Sequence, residues 1–168
     1  SEAPLISGAV SGTVKVFKNI SGVWTQIGQN ILNTSTAGNG TFRVALSSDG
    51  NTVAISDPDF SLNGLGSIGR AIVFKNISGV WTQIGQEIYG DATWDRLGST
   101  VTISSDGSVI AIGGPYNGRE SVRVYKNVSN VWIQIGQGID SQMSQNIART
   151  TIDLSANGNT LVIGAADK

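Results

Sequence analysis

The chain has 168 residues and a mass of 17.5 kDa, enough for one domain with a core of its own. It contains no Cys and no His, which excludes disulfides, Cys/His zinc centres, a His-ligated haem, a Cys nucleophile and a Ser-His-Asp triad. Eleven basic residues stand against twelve acidic ones, and 39% of the chain is hydrophobic against 14% charged. That is a folding chain with no basic footprint for nucleic acid and no apolar run near the roughly 18 residues that membrane insertion needs.

In chain order, Val14 and Val16 lead into Lys18-Asn19-Ile20-Ser21, and a strand centred on Trp24 follows. Next, Val44 and Leu46 alternate with Arg43 and Ala45, Asp49-Gly50 supplies a turn suited to positive φ, and Val53 and Ile55 flank Ala54. The segment Val73–Gln86 then repeats Val16–Gln29 residue for residue. A second turn of the Asp-Gly kind, Asp106-Gly107, joins Val101/Ile103 to Ile110/Ile112. Val124–Gln137, with Trp132 in place of Trp24 and Trp81, is a relaxed third copy. Last, Asn157-Gly158 joins Ile152/Leu154 to Leu161/Ile163. Nothing shows helical periodicity beyond a turn or two.

With strands A and B around the Asp-Gly turn and C and D around the Asn-x-Ser turn, the chain reads CD-ABCD-ABCD-AB. Four strands in a period of about 50 residues is the size of a propeller blade. The predicted fold is all-β, a β-propeller-type repeat of four-stranded antiparallel blades, three blades' worth per chain. Its parts are a half-blade at about 12–32, blades at about 41–90 and 98–140, and a half-blade at about 149–164. The alternating residues Val44, Leu46, Val53, Ile55, Val101, Ile103, Ile110, Ile112, Ile152, Leu154, Leu161 and Ile163 are expected to face the space between blades.

The run Leu97-Gly98-Ser99-Thr100-Val101 through Ser105-Asp106-Gly107 to Ile112-Gly113-Gly114-Pro115 resembles the FG-GAP propeller repeat of integrin α chains and many bacterial and algal surface proteins. The resemblance covers nearly the whole chain after the first ten residues. It implies an extracellular or cell-surface protein that binds rather than catalyses. Family members often carry a calcium loop; here each A-B turn has only the length of Ser-Asp-Gly-Asn, too short to wrap a cation.

Candidate sites follow from residue type. Trp24, Trp81 and Trp132 recur once per repeat, either as sugar-stacking shelves or as packing between blades. Trp94, in the D-to-A connection Gly90–Arg96, belongs to no repeat and suits an exposed contact. Asp57, Asp59 and Asn63 in the long B-to-C loop offer oxygens for a weak calcium or sugar site or form a plain polar turn. Asp91, Asp95 and Asp140 match no hydrolase motif and read as solvated loop charges. Asn19, Asn76 and Asn127 head Asn-x-Ser sequons at one turn of each repeat, and Asn33 and Asn39 add two more, so these are glycosylation candidates.

No constellation points to catalysis, so no enzymatic activity and no cofactor are expected. The expected function is a structural or adhesive module that self-associates head to tail, as a six-bladed homodimer or a filament, with Leu161 and Ile163 opposite Val14 and Val16. The alternative is a multivalent carbohydrate-binding module with one shallow site per blade.

Overall fold

A computed structural model of the chain describes residues 10–35, 42–116, 119–140 and 151–164. Among them are sixteen strands and no helix. At the amino-terminal side, β1 (Val10–Val14) pairs with β4 (Ile31–Ser35), and β2 (Phe17–Ile20) pairs with β3 (Val23–Gln26). A first larger antiparallel sheet runs β5 (Arg43–Leu46), β6 (Thr52–Asp57), β7 (Arg70–Ile77), β8 (Val80–Gln83), with β9 (Ile88–Tyr89) also on β7. A second repeats that order with β10 (Thr100–Ile103), β11 (Val109–Tyr116), β12 (Arg119–Val128), β13 (Val131–Gln134) and, on β12, β14 (Ile139–Asp140). The hairpin of β15 (Thr151–Leu154) and β16 (Leu161–Gly164) follows.

The expected strand order is therefore present, but each D strand is broken. Gly28, Gly85 and Gly136 sit at φ of +72°, +69° and +72°, a conformation that costs glycine little. Gln26, Gln83 and Gln134 each donate a side-chain hydrogen bond to the carbonyl of that glycine at 3.1–3.2 Å. One bond crosses every break: Ile27, Ile84 and Ile135 donate their N–H to the carbonyls of Val16, Val73 and Val124 at 2.8–2.9 Å.

These sheets stack in chain order. Val16, Ile31 and Trp81 bury Val53 and Ile55 on one face of the first large sheet. Its other face, with Ala54, Ala71 and Val73, meets Ile103, Ile110, Ile112, Tyr125 and Trp132 of the second. Both faces of β6 are thus covered, which explains why all six of its residues are buried. The final hairpin contacts β10 and β11 through β15. Two expected core residues are corrected by this arrangement: Val44 is 57% and Leu46 49% exposed. They share a face with Val53 and Ile55, but the amino-terminal strands reach only the β6 side of it, so β5 projects past its cover.

The A-B turns are built alike. Ser47 donates its hydroxyl to Asp49 at 2.6 Å and accepts the Thr52 N–H at 2.9 Å; Ser104 does the same with Asp106 and Val109 at 2.7 and 3.0 Å. These bonds, chiefly the serine hydroxyl and then the backbone N–H two residues on, hold both carboxyls below the usual carboxylate range. A lowered native pKa stabilises the fold above the unfolded value near ~3.9 and ceases to do so as pH falls through the native value. Asn157 makes the equivalent bonds, at 2.9 Å to the Ser155 hydroxyl and 3.0 Å to the Asn159 N–H, without titrating. Asp106→Asn is therefore expected to lose less stability than wild type between pH 7 and pH ~3, measured as the urea midpoint at each pH; an equal loss would show that the turn carboxylate contributes nothing to acid sensitivity.

Candidate functional site

The repeated tryptophans are fastened between neighbouring sheets by one local arrangement. Trp81 donates its indole N–H to the Ile27 carbonyl at 2.8 Å. The Gln29 amide brackets the Trp81 backbone, accepting its N–H at 3.0 Å and donating to its carbonyl at 2.8 Å. Trp132 repeats this on the next sheet: its indole N–H donates to the Ile84 carbonyl at 2.9 Å, and Gln86 accepts and donates at 3.0 and 2.7 Å. Glycine is required beneath the ring. A Cβ on Gly28 would lie 2.6 Å from Trp81 Cδ1, and one on Gly85 2.5 Å from Trp132 Cδ1.

Trp81 and Trp132 are each 3% exposed, so these two of the three proposed sugar-stacking residues serve as packing. Trp24, in an identical sequence, is 69% exposed because no described sheet precedes it. The third copy of the seat, Ile135-Gly136-Gln137, is uncovered in turn: Ile135 is 41% exposed and no described residue lies within 4 Å of a Cβ built on Gly136.

Trp94 is 67% exposed at a positive φ of 70°, with its N–H donated to the Gly66 carbonyl at 3.0 Å. Asp95 shapes its loop by accepting the Asp91 and Ala92 N–H groups at 2.8 and 2.9 Å. Buried Arg123 reaches Asp91 at 3.1 Å and Asp95 at 3.7 Å. The Asp91 and Asp95 carboxylates therefore belong to an ion-pair network rather than lying free in solvent; Asp140 is in β14, opposite Ser121 of β12.

The proposed calcium oxygens are not brought together as a cage. Asp59 pairs with Arg96 at 2.7 Å, Asp57 is buried and accepts the Asp59 N–H at 3.2 Å, and Asn63 stands exposed in a tight turn between Leu62 and Leu65. Among the described residues no three acidic side chains are grouped to hold a metal. The same end of the sheet holds a cluster that residue type alone did not reveal. Arg70 lies 3.9 Å over the Phe60 ring and 3.1 Å from Glu87, to which Tyr89 donates its hydroxyl at 2.6 Å. Burial and that carboxylate push the Tyr89 phenol up to about 12.

Asn19, Asn76 and Asn127 each accept a backbone N–H, from Gly22, Gly79 and Asn130 at 2.8–3.1 Å. They brace two-residue turns whose central Ser and Gly or Asn all have positive φ, so the turn is centred one step beyond the sequon's middle residue. Those turns are exposed. Asn33 lies in β4 opposite Gly12, and Asn39 falls outside the described residues.

Of the proposed association residues, Val14 and Val16 pack within the chain against Val53, Ile55 and Trp81, so their side chains are already used. Leu161 and Ile163 are half-buried.

No family model matches the chain, and no curated protein matches it. Several solved structures do, among them that of a "putative 6-phosphogluconolactonase" from Bacteroides fragilis, with 15% identity and a TM-score of 0.47. The match covers 77% of this chain and 33% of that one. The expectation of a chain without enzymatic activity is corrected on this finding and is not kept, since a matching structure is named as an enzyme. At this degree of likeness nothing of that enzyme's activity is carried over.

Proposed function

We propose that the two larger sheets are blades of a β-propeller-type array, and that the chain is an extracellular or cell-surface structural module joining other copies of itself head to tail. One observation carries this reading. Each larger sheet is held together at its middle by a B-to-C pairing, β6 with β7 and β11 with β12. At the two sides that pairing is missing among the described residues: β16 pairs only with β15, while β1 and β2 pair only with β4 and β3. Uncovered strand edges recruit further strands.

Equivalence with Ala54↔Val73 and Ala111↔Val124 sets Val162 opposite Val16 and Leu161 opposite Phe17. Phe17, 48% exposed, then gains the cover that its counterpart Tyr125, 8% exposed, already has. The contact is heterologous, so it closes after a whole number of copies or continues as a filament. Two copies close six blades, the favoured ring. The three exposed Asn-x-Ser turns support placement outside the cell. Sedimentation equilibrium of the 168-residue chain is expected to show a mass that is a multiple of 17.5 kDa and rises with concentration; a single 17.5 kDa species up to roughly 1 mM, the weakest association this technique resolves, defeats the reading.

A further inference from the structure

Resting on that reading, we infer that the junction between copies is specified by one indole, Trp24 of the incoming copy, entering the seat formed by Ile135, Gly136 and Gln137 of the copy before it. The chain contains this lock twice already, with Trp81 and Trp132 as the keys, and both occupied seats have one geometry. The third has the same backbone: φ at Gly136 is +72° against +72° and +69°, and Gln134 donates to the Gly136 carbonyl at 3.2 Å as Gln26 and Gln83 do to theirs. The seat is thus formed before anything enters it, which removes part of the ordering cost of association.

The key is equally ready. Trp24 stands on the hairpin of β2 and β3, whose sequence is that of the hairpin carrying Trp81, and 69% of it is in solvent. A tryptophan is among the residues that most often dominate an interface. In the junction its indole N–H donates to the Ile135 carbonyl, and the Gln137 amide brackets its backbone.

A separate feature of the A-B turns agrees with this placement. A Cβ on Gly107 would lie 2.6 Å from Thr52, and one on Gly158 2.7 Å from Val109, so each turn glycine rides on the following strand of the preceding sheet. Gly50 meets no described residue within 4 Å. The same junction that seats Trp24 sets Gly50 of the incoming copy on Thr160, the counterpart of Thr52 and Val109. One placement therefore covers both uncovered features. The occupant it selects is a second copy of this chain.

The test uses two variants of the full chain, Trp24→Ala, which lacks the key, and Gly136→Ala, whose methyl fills the seat. Both positions are exposed, and circular dichroism with a thermal scan confirms that each variant folds. Alone, each is expected to self-associate about 100-fold more weakly than wild type. Mixed, they are expected to form a one-to-one dimer by sedimentation velocity, because the first still has its seat and the second its key. If each variant alone associates as wild type does, the seat is refuted while head-to-tail association stands. If the mixture forms no dimer although wild type associates, the seat is refuted as well. If wild type itself stays monomeric to roughly 1 mM, the reading beneath it falls and the seat falls with it.

Discussion

Trp132→Ala is expected to lower the unfolding free energy by about 3–5 kcal/mol, the range for truncating a buried tryptophan. The same change at Trp24 is expected to leave it within about 0.5 kcal/mol, as surface substitutions do. Trp132 is 3% exposed, packs with Ala54, Ala71 and Val73, and holds the Ile84 carbonyl and the Gln86 amide across the sheet boundary. Removing the ring opens a large cavity and leaves the Ile84 carbonyl without its indole N–H donor, while the Gln86 bonds, made to the Trp132 backbone, remain available. Trp24 makes no such contact among the described residues. Urea denaturation of both variants, at concentrations below those at which copies meet, measures the difference. Similar losses at the two positions would mean that the stacking of the sheets is wrong.

Ile110→Ala is expected to cost about 2–5 kcal/mol by the same measurement. Ile110 is fully buried, pairs with Ile103 and Tyr125 across β10 and β12, and lies in the cluster that joins the two larger sheets. The tight packing around it leaves little room for collapse into the space. Val44→Ala, at a position with the same alternation in sequence but 57% exposed, is expected to cost under about 1 kcal/mol. An unfolding midpoint unchanged in Ile110→Ala would place that face in solvent.

These paired substitutions show where sequence is informative and where it falls silent. Turn chemistry made the hairpins legible: Asp49-Gly50, Asp106-Gly107 and Asn157-Gly158 all fall at positive-φ glycines, and the repeat order follows from the copies of Val16–Gln29. The breaks after β3, β8 and β13 were not legible, because Ile-Gly-Gln continues the alternation of a strand and only the glutamine's bond to the glycine carbonyl ends it. Burial was legible only in part. Val16–Gln29 and Val73–Gln86 are identical, yet their tryptophans differ in exposure from 69% to 3%. No local signal separates two identical segments; the neighbouring sheet decides. The ion pairs of Arg70 with Glu87 and of Arg123 with Asp91 and Asp95 were hidden for a related reason, since their partners come from separate strands and connections.

The proposed pairing of β16 with β2 between copies has a direct measurement, made clean by the absence of cysteine in the chain. Thr52↔Lys75 and Val109↔Lys126 place Thr160 opposite Lys18, both of them exposed. Directly opposed residues in an antiparallel pair have Cα atoms roughly 4.5–5.5 Å apart, within the span of a disulfide. Thr25 faces Lys18 from the far side, on β3, and so lies roughly 9–10 Å from Thr160 of the other copy, beyond that span. Thr160→Cys mixed with Lys18→Cys under mild oxidation is expected to give a covalent heterodimer, and Thr160→Cys mixed with Thr25→Cys is expected to give little. Equal yields from the two mixtures, or no heterodimer from the first, would contradict head-to-tail completion of the sheet.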